Sequence, residues 1–179
     1  MGTTCNVVVL ISGSGSNLQA LIDSQHEGNP ARIRAVIANR ADAFGLIEAL
    51  DYLASQQVRI VNLSLAGPPN DALARQVEEM AADGILLIAA AGNGGPRAAP
   101  AFPAAYDQVL AVTAVDRRGQ VYRRANQGDH IDLAAPGVNV WTAASISGAR
   151  TKTGTSYAAP FVTAAAALLW SRDPALTAA

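Results

Sequence analysis

Short hydrophobic runs along this chain alternate with amphipathic segments. The runs are nearly continuous in apolar and β-branched residues, as in parallel strands buried on both faces, and they cover residues 5–11, 33–39, 59–65, 85–91 and 108–116. Apolar residues at helical spacing predict helices over residues 16–25, 43–57, 70–84 and about 155–171. The order of these elements predicts an α/β fold, a three-layer αβα sandwich with a mostly parallel sheet.

Residues that cap helices or favour loops refine the predicted boundaries. Asn70 is a candidate N-cap and Gly84 a candidate C-cap of the helix predicted between them. Residues 117–150 are rich in Gly and Ser and predict loops and short strands. The chain of 179 residues has the length of one domain with a proper core, so we expect a single domain over residues 1–179.

Composition excludes several classes of partner. The net charge of −1 leaves no electrostatic footprint for nucleic acid or an anionic membrane surface. No apolar stretch reaches the roughly 18 residues of a membrane span, and no basic segment precedes the first apolar run, so we expect a cytoplasmic protein without a signal peptide. The single cysteine, Cys5, excludes an internal disulfide and predicts a buried free thiol. Nothing in the sequence indicates a metal or a cofactor.

A turn of small residues, "SGSGSN" at 12–17, follows the first predicted strand. Backbone amides at a helix start, together with the helix dipole, favour an anion. The turn therefore predicts weak binding of phosphate or sulfate by Gly13, Ser14, Gly15, Ser16 and Asn17. A plain tight turn is the alternative, and the spacing is imperfect for a dinucleotide fingerprint because Leu18 stands where the third glycine would be.

Two further loops predict the chemistry of acyl transfer. Asn93, in "AAAGNGGP", lies between glycines at the end of a predicted strand, although Asn and Gly are also common turn formers. Ser156, in "TKTGTSYAAP", opens the last predicted helix, where a serine is most often an N-cap. Taken together, one side-chain amide and the N–H of the serine itself would make an oxyanion hole for a serine nucleophile.

From about residue 47 to 171 the chain resembles the C-terminal part of the subtilisin-like serine proteases. The resemblance is carried by "RIVNLSLAG", "ILLIAAAGNGG", "AFPAAYDQVLAVTAVDRRG", "IDLAAPGVNVWTA" and "GTSYAAPFVTAAAALL", in this order. It implies a Rossmann-like, subtilisin-like sheet. It also implies that Ser156 is the nucleophile, that Asn93 belongs to the oxyanion hole, and that Leu65, Ala66 and Gly67 line the substrate groove.

The same resemblance requires an aspartate after the first core strand and a histidine within a His-Gly-Thr-His signature, and neither motif occurs. The chain has only two histidines. His26 is expected at the far end of the first helix, away from the strand ends, and His130 matches a variable loop position. We expect both to be exposed and neither to act as the base.

Residues 5–46 instead resemble the start of glycinamide ribonucleotide formyltransferase, through "VVVLISGSGSNLQALIDS" and "IRAVIANRADAFGL". In that family the loop matching 13–17 holds the substrate phosphate, and its catalytic residues lie further along. The interpretation that follows is an engineered or selected chimera, joined near 43–48, with no evolved catalytic activity and a residual phosphate loop. A mismatched core could also be buried by homodimerisation. The alternative is a degenerate subtilisin-like serine hydrolase with at most trace esterase activity.

Overall fold

The computed structural model describes residues 5–12, 31–39, 43–143 and 149–178. The strands are β1 (Cys5–Ser12), β2 (Ala31–Asn39), β3 (Ile60–Ser64), β4 (Leu86–Ala90), β5 (Val109–Val115), β6 (Leu133–Pro136), β7 (Val140–Ala143) and β8 (Ala149–Lys152). The helices are α1 (Ala43–Ser55), α2 (Asp71–Ala82) and α3 (Thr155–Arg172). Every strand and helix predicted within these residues is present, with ends that differ by at most two residues.

Six of the strands form one parallel sheet in the order β2-β1-β3-β4-β5-β6. Helices α1 and α2 contact each other on one side of this sheet, whereas α3 lies against β3, β4, β5 and β6. The remaining strands, β7 and β8, form an antiparallel hairpin that leads into α3. The α/β sandwich with a mostly parallel sheet is therefore confirmed. Strands from both sides of the expected junction at 43–48 pair in this same sheet.

Strand β3 divides its residues between two cores because successive side chains point to opposite faces of the sheet. Val61 and Leu63 are buried in the core that also holds the apolar faces of α1 and α2. Ile60 belongs to the core beneath α3. Asn62 and Ser64 share the face of Ile60 and are buried at 1% and 6% exposure. Two polar side chains are thus directed from an otherwise apolar strand toward α3.

Helix α2 begins and ends close to the predicted positions. The Asn70 side chain accepts a hydrogen bond from the Leu73 N–H at 2.9 Å, which confirms Asn70 as the N-cap. Leu73, Val77 and Met80 bury one face of the helix. The C-cap is Asp83 and not the predicted Gly84, which follows it with φ 78° and lies one position beyond the observed cap.

Helix α3 packs closely against the sheet because most side chains on its buried face are small. The buried residues are Thr155, Ala158, Ala159, Thr163, Ala167 and Trp170. Near its C-terminal end, the Arg59 guanidinium lies 4.2 Å from the centre of the Trp170 ring. Within the described residues, neither α3 nor another helix is long and apolar enough to cross a membrane.

Several expectations fall on residues outside this description. They are the helix over 16–25, the anion loop at 13–17 and His26. Cys5 begins β1, but its side chain also lies outside the description.

Candidate active site

The candidate residues meet at the carboxyl edge of the parallel sheet, where ligands bind in folds of this type. Ser64 is the last residue of β3, and Asn93 lies three residues beyond the end of β4. Ser156 is the second residue of α3, whose N-terminal end faces this edge. The sheet therefore brings Ser156 and Asn93 to one place, although 63 positions separate them in the sequence.

Ser156 and Ser64 are joined by a reciprocal pair of hydrogen bonds. The Ser156 hydroxyl donates to the Ser64 carbonyl at 3.3 Å, and the Ser64 hydroxyl donates to the Ser156 carbonyl at 3.2 Å. The N-cap of α3 is Gly154, so the alternative that Ser156 serves as the N-cap is wrong. Its hydroxyl is free of a capping role and lies half-buried at the edge of the sheet.

The bond from Ser64 replaces one that α3 cannot make for itself. In an α-helix the carbonyl of Ser156 would accept from the N–H four residues later. That residue is Pro160, which lies inside the helix and has no N–H. The Ser64 hydroxyl supplies the missing donor, so the nucleophile candidate is tied to β3 at the point where its helix is incomplete.

A buried polar chain orients Ser64. The Asn62 amide donates to the Ser64 hydroxyl at 2.8 Å, and the Thr163 hydroxyl lies 3.0 Å from the Asn62 side-chain oxygen. The Thr163 hydroxyl also lies 3.0 Å from the Ala159 carbonyl, one turn earlier in α3. All members of the chain are at least nine-tenths buried, so their polar groups depend on each other for hydrogen bonding.

Thr155 fixes the orientation of the Asn93 amide. The Asn93 side-chain oxygen accepts from the Thr155 backbone N–H at 3.0 Å and from the Thr155 hydroxyl at 3.3 Å. The same hydroxyl accepts from the Gly92 N–H at 3.1 Å. Thr155 is fully buried, whereas Asn93 is exposed. With its oxygen held by Thr155, the amide has its NH2 group available at the site.

A second donor comes from the start of α3. The first N–H groups of a helix have no partner within the helix. Here the Thr155 N–H donates to Asn93 and the Tyr157 N–H donates to the Gly154 carbonyl, whereas the Ser156 N–H has no partner among the described residues. The Ser156 N–H is therefore an available donor next to Thr155, the residue that binds the Asn93 side chain.

Asn126 holds the loop that carries Asn93. Its side-chain oxygen accepts from the Gly94 N–H at 2.8 Å, and its backbone N–H donates to the Gly92 carbonyl at 3.0 Å. Its amide also donates to the Ala99 carbonyl at 3.3 Å. Asn126 is 3% exposed and was not predicted to belong to the site, because nothing local in the sequence connects it to a loop 32 positions earlier.

The predicted groove segment follows β3 directly. Leu65 is half-buried, and Ala66 and Gly67 are exposed. Gly67 forms an antiparallel bridge with Phe102, in which each N–H donates to the carbonyl of the other residue, at 2.8 and 3.0 Å. The hydrogen-bonding groups of Gly67 are thus used within the chain, and a substrate role for 65–67 stays a prediction.

His130 is not placed to act on Ser156. It lies three residues before β6 begins, and Asp132, also before β6, accepts from the Ala111 N–H in the first half of β5. These positions belong to the amino edge of the sheet, opposite the edge that carries Ser156. The His130 Nε2 is buried without a hydrogen-bond partner in the described part of the chain, so the expectation of an exposed side chain is not met at this atom.

Comparison with known proteins assigns the family. The model of the subtilase family, Peptidase S8, matches residues 16–179, and the chain belongs to this family. The minor extracellular protease Epr of Bacillus subtilis (strain 168) is 34% identical over 179 residues, covering 93% of this chain and 28% of Epr. Subtilisin DY of Bacillus licheniformis is 34% identical over 137 residues, covering 74% of this chain and 50% of that protein. The chain thus spans about a quarter to a half of the length of these two curated relatives.

Solved structures agree on the fold. The prenylagaramide maturation protease PagA superimposes with a TM-score of 0.82 at 26% identity, covering 95% of this chain and 76% of PagA. A cold-adapted subtilisin-like serine proteinase gives a TM-score of 0.83 at 23% identity, covering 99% of this chain and 79% of that one. The subtilisin-like α/β fold is therefore confirmed.

The interpretation of the chain as a chimera with no evolved activity is wrong. The family match begins at residue 16, inside the segment attributed to a formyltransferase, and continues through the expected junction at 43–48. Nothing in the comparisons supports the formyltransferase resemblance. The error has a physical reason, because a small-residue turn after the first strand opens many parallel α/β sheets and does not identify one family.

Proposed function

We propose that this chain carries the nucleophile and the oxyanion hole of a subtilase-type serine hydrolase. The observation that carries the proposal is that Thr155 binds the Asn93 side-chain oxygen, while the N–H of Ser156, the next residue, has no partner among the described residues. The membership of the subtilase family and the proteases among its relatives support the same reading. In this proposal Ser156 is the catalytic residue that attacks the carbonyl carbon.

The chemistry is acyl transfer. The Ser156 oxygen forms a bond to the carbonyl carbon, and the carbonyl oxygen gains the negative charge that Asn93 and the Ser156 N–H stabilise. The leaving group departs with its electron pair, and an acyl-enzyme remains on Ser156 until water hydrolyses it. The proton of the Ser156 hydroxyl passes to water during the first step, and the leaving group takes a proton from water as it departs.

The available acceptor sets the expected rate. In the described residues the Ser156 hydroxyl donates to the Ser64 carbonyl, and a peptide carbonyl is not a base. Subtilisin itself, when its catalytic triad is removed, is known to retain about 10³–10⁴-fold acceleration over water. We therefore infer slow turnover of activated esters by this chain, and not efficient cleavage of peptide bonds.

A fluorophosphonate probe and an activated ester test the assignment of Ser156. We expect the probe to label one serine and the label to disappear in Ser156→Ala, whereas the part of the esterase activity that depends on the oxyanion hole alone should remain. Ser55→Ala is the matched control, since Ser55 is exposed on α1 and donates only to the Tyr52 carbonyl. Labelling that persists in Ser156→Ala would overturn the proposal.

The oxyanion hole has its own test. Asn93→Leu removes the donor but leaves Ser156 in place, and loss of one such donor costs about 10²–10³-fold in rate. We expect the labelling rate to fall on this scale, while Asn70→Leu, which alters the capping asparagine of α2, changes stability but not labelling. An unchanged labelling rate in Asn93→Leu would show that the amide does not face the reacting carbonyl.

A further inference from the structure

Exposed arginines border the candidate active site on one side. They lie in the loops that follow β4 and β5, at the same edge of the sheet as Asn93, and we call them the arginine rim: Arg97, Arg117, Arg118, Arg123 and Arg124. Five of the 13 basic residues of the chain are therefore concentrated next to one loop. Strands β3, β4 and β5 are neighbours in the sheet. Residues 65–67 follow β3, Asn93 follows β4, and four of the five rim arginines follow β5.

Hydrogen bonds fasten the rim to the oxyanion loop. Gly95 lies two residues beyond Asn93, and its N–H donates to the Arg124 carbonyl at 2.9 Å. The bonds of Asn126 to Gly92 and Gly94 hold the same two loops together. Arg123 and Arg124 are thus carried on backbone that is directly bonded to the loop of Asn93, so the position of these cations is coupled to that of the site.

The cations of the rim are not neutralised within the described residues. No ion pair joins a rim arginine to a carboxylate in the described part of the chain. The nearest acid in sequence, Asp116, is occupied by the turn, where one carboxylate oxygen accepts from the Arg118 N–H at 2.8 Å and the Gln120 N–H at 2.9 Å.

The remaining acids of these two loops lie at the other edge of the sheet. Asp107 lies two residues before β5, and Asp129 and Asp132 precede β6. Within these two loops, the arginines therefore lie toward the carboxyl edge of the sheet and these three aspartates toward its amino edge. These loops therefore place more positive than negative charge beside Asn93, although the chain as a whole carries a net charge of −1.

We propose that the arginine rim binds acidic side chains of a polypeptide substrate that lies across Ser156 and Asn93, and this inference rests on the proposed function. Guanidinium groups present forked donors that match carboxylates, and a group of them on fixed loops selects charge even where each exposed pair is weak. The rim adjoins the loop of the proposed oxyanion hole, whose ligand would be the carbonyl of a polypeptide. A polypeptide therefore fits this surface better than a nucleic acid.

Binding to an inactive variant separates this proposal from catalysis. A fluorescein-labelled ten-residue peptide rich in Glu, its Lys-rich counterpart and a ten-nucleotide single strand are titrated into Ser156→Ala protein and followed by anisotropy at 20 and 150 mM salt. We expect the Glu-rich peptide to bind at least tenfold more tightly than the other two probes. We also expect weaker binding at the higher salt concentration, since exposed charges are screened.

Charge reversal identifies the residues. Arg123→Glu combined with Arg124→Glu should weaken binding of the Glu-rich peptide at least tenfold. The matched control is Arg75→Glu combined with Arg172→Glu, which makes the same change in net charge on α2 and at the end of α3, and it should change binding less than twofold. Equal loss in both double variants, or no preference for the Glu-rich peptide, would overturn the proposal.

Two outcomes distinguish the possible failures. If the nucleotide strand binds most tightly, the rim is not a peptide surface and the inference is wrong. If the Glu-rich peptide binds through Arg123 and Arg124 but Ser156 of the unmodified protein is never labelled, the proposed function fails while the rim keeps its preference for acidic peptides.

Discussion

The side-chain oxygen of Asn93 accepts two hydrogen bonds from Thr155, one from its backbone N–H at 3.0 Å and one from its hydroxyl at 3.3 Å. Thr155 directly precedes the candidate nucleophile, so the residue before Ser156 sets the direction of the amide that would stabilise its transition state. The hydroxyl is also the acceptor for the Gly92 N–H. One buried side chain thus connects the oxyanion loop with the start of α3.

Thr155→Val should slow the labelling of Ser156 while preserving the shape of the side chain. We expect a decrease of about threefold to tenfold, which corresponds to the loss of one hydrogen bond of about 1 kcal/mol. Because the buried Gly92 N–H loses its acceptor, the free energy of unfolding should also fall by about 1–3 kcal/mol. The measurements are fluorophosphonate labelling rates and urea unfolding.

Thr155→Ser is the control for this substitution, since it keeps the hydroxyl and removes only a methyl group. It should label at close to the unmodified rate. If Thr155→Val labels as fast as Thr155→Ser, the hydroxyl does not hold the Asn93 amide.

The Ser64 hydroxyl and Pro160 should show thermodynamic coupling. Ser64→Ala leaves the Ser156 carbonyl without a donor, because Pro160 has no N–H to offer, and should cost about 1–3 kcal/mol. Pro160→Ala restores a backbone N–H at the position that an α-helix requires. In Pro160→Ala protein, the loss of the Ser64 hydroxyl should therefore cost less.

A double-mutant cycle measures this compensation from urea unfolding of the two single variants and the double variant. We expect a coupling free energy of about 0.5–3 kcal/mol, the range found for side chains that share a partner. Strict additivity of the two substitutions would mean that Ser64 does not replace the missing helix donor.

Thr163→Val should destabilise the protein through Asn62. Valine has nearly the same shape as threonine but lacks the hydroxyl that donates to the Asn62 side-chain oxygen. Asn62 is 1% exposed, so this oxygen would be left unpaired. We expect a loss of about 1–3 kcal/mol in the free energy of unfolding. Thr163→Ser, which keeps the hydroxyl, is the control and should lose less. The contrary result, equal losses in the two variants, would assign the effect of Thr163 to its methyl group and not to its bond with Asn62.

The sequence predicted the architecture because its apolar runs and helical periods are strong signals. The sequence also placed Ser156 and Asn93 in one hypothetical site. Asn93 follows a strand, and Ser156 lies at the start of a helix, at the carboxyl edge of the sheet. Asn62 and Ser64 carried a signal that was not used, since they are polar residues at alternate positions of the apolar strand "RIVNLSL". Their role depends on which face of β3 meets α3, and this follows from packing between distant elements.

Other features had no local signal. The contact of Asn126 with Gly94 joins residues 32 positions apart, and the pairing of Gly67 with Phe102 joins two loops, so neither could be read from spacing. The small-residue turn at 12–17 gave a local signal that led to the wrong family. Its composition suits an anion loop, but turns of this kind follow the first strand in many parallel sheets, and the resemblance built on it did not identify the family.

Gly92→Ala should lower the free energy of unfolding more than Gly95→Ala, although the backbone strain of the two substitutions is similar. Both glycines have positive φ angles, 102° and 105°, at which a side chain is strained by about 1–3 kcal/mol. A Cβ at Gly92 would lie 2.8 Å from the Asn126 amide nitrogen and 3.3 Å from the Ala101 Cβ, whereas a Cβ at Gly95 meets nothing within 4 Å. The difference between the two variants therefore isolates the steric clash with Asn126.

We expect Gly92→Ala to lose about 1–3 kcal/mol more of the free energy of unfolding, measured in urea, than Gly95→Ala. It should also label Ser156 more slowly, because Asn126 anchors the oxyanion loop. Equal stability and equal labelling in the two variants would mean that Asn126 yields without moving Asn93.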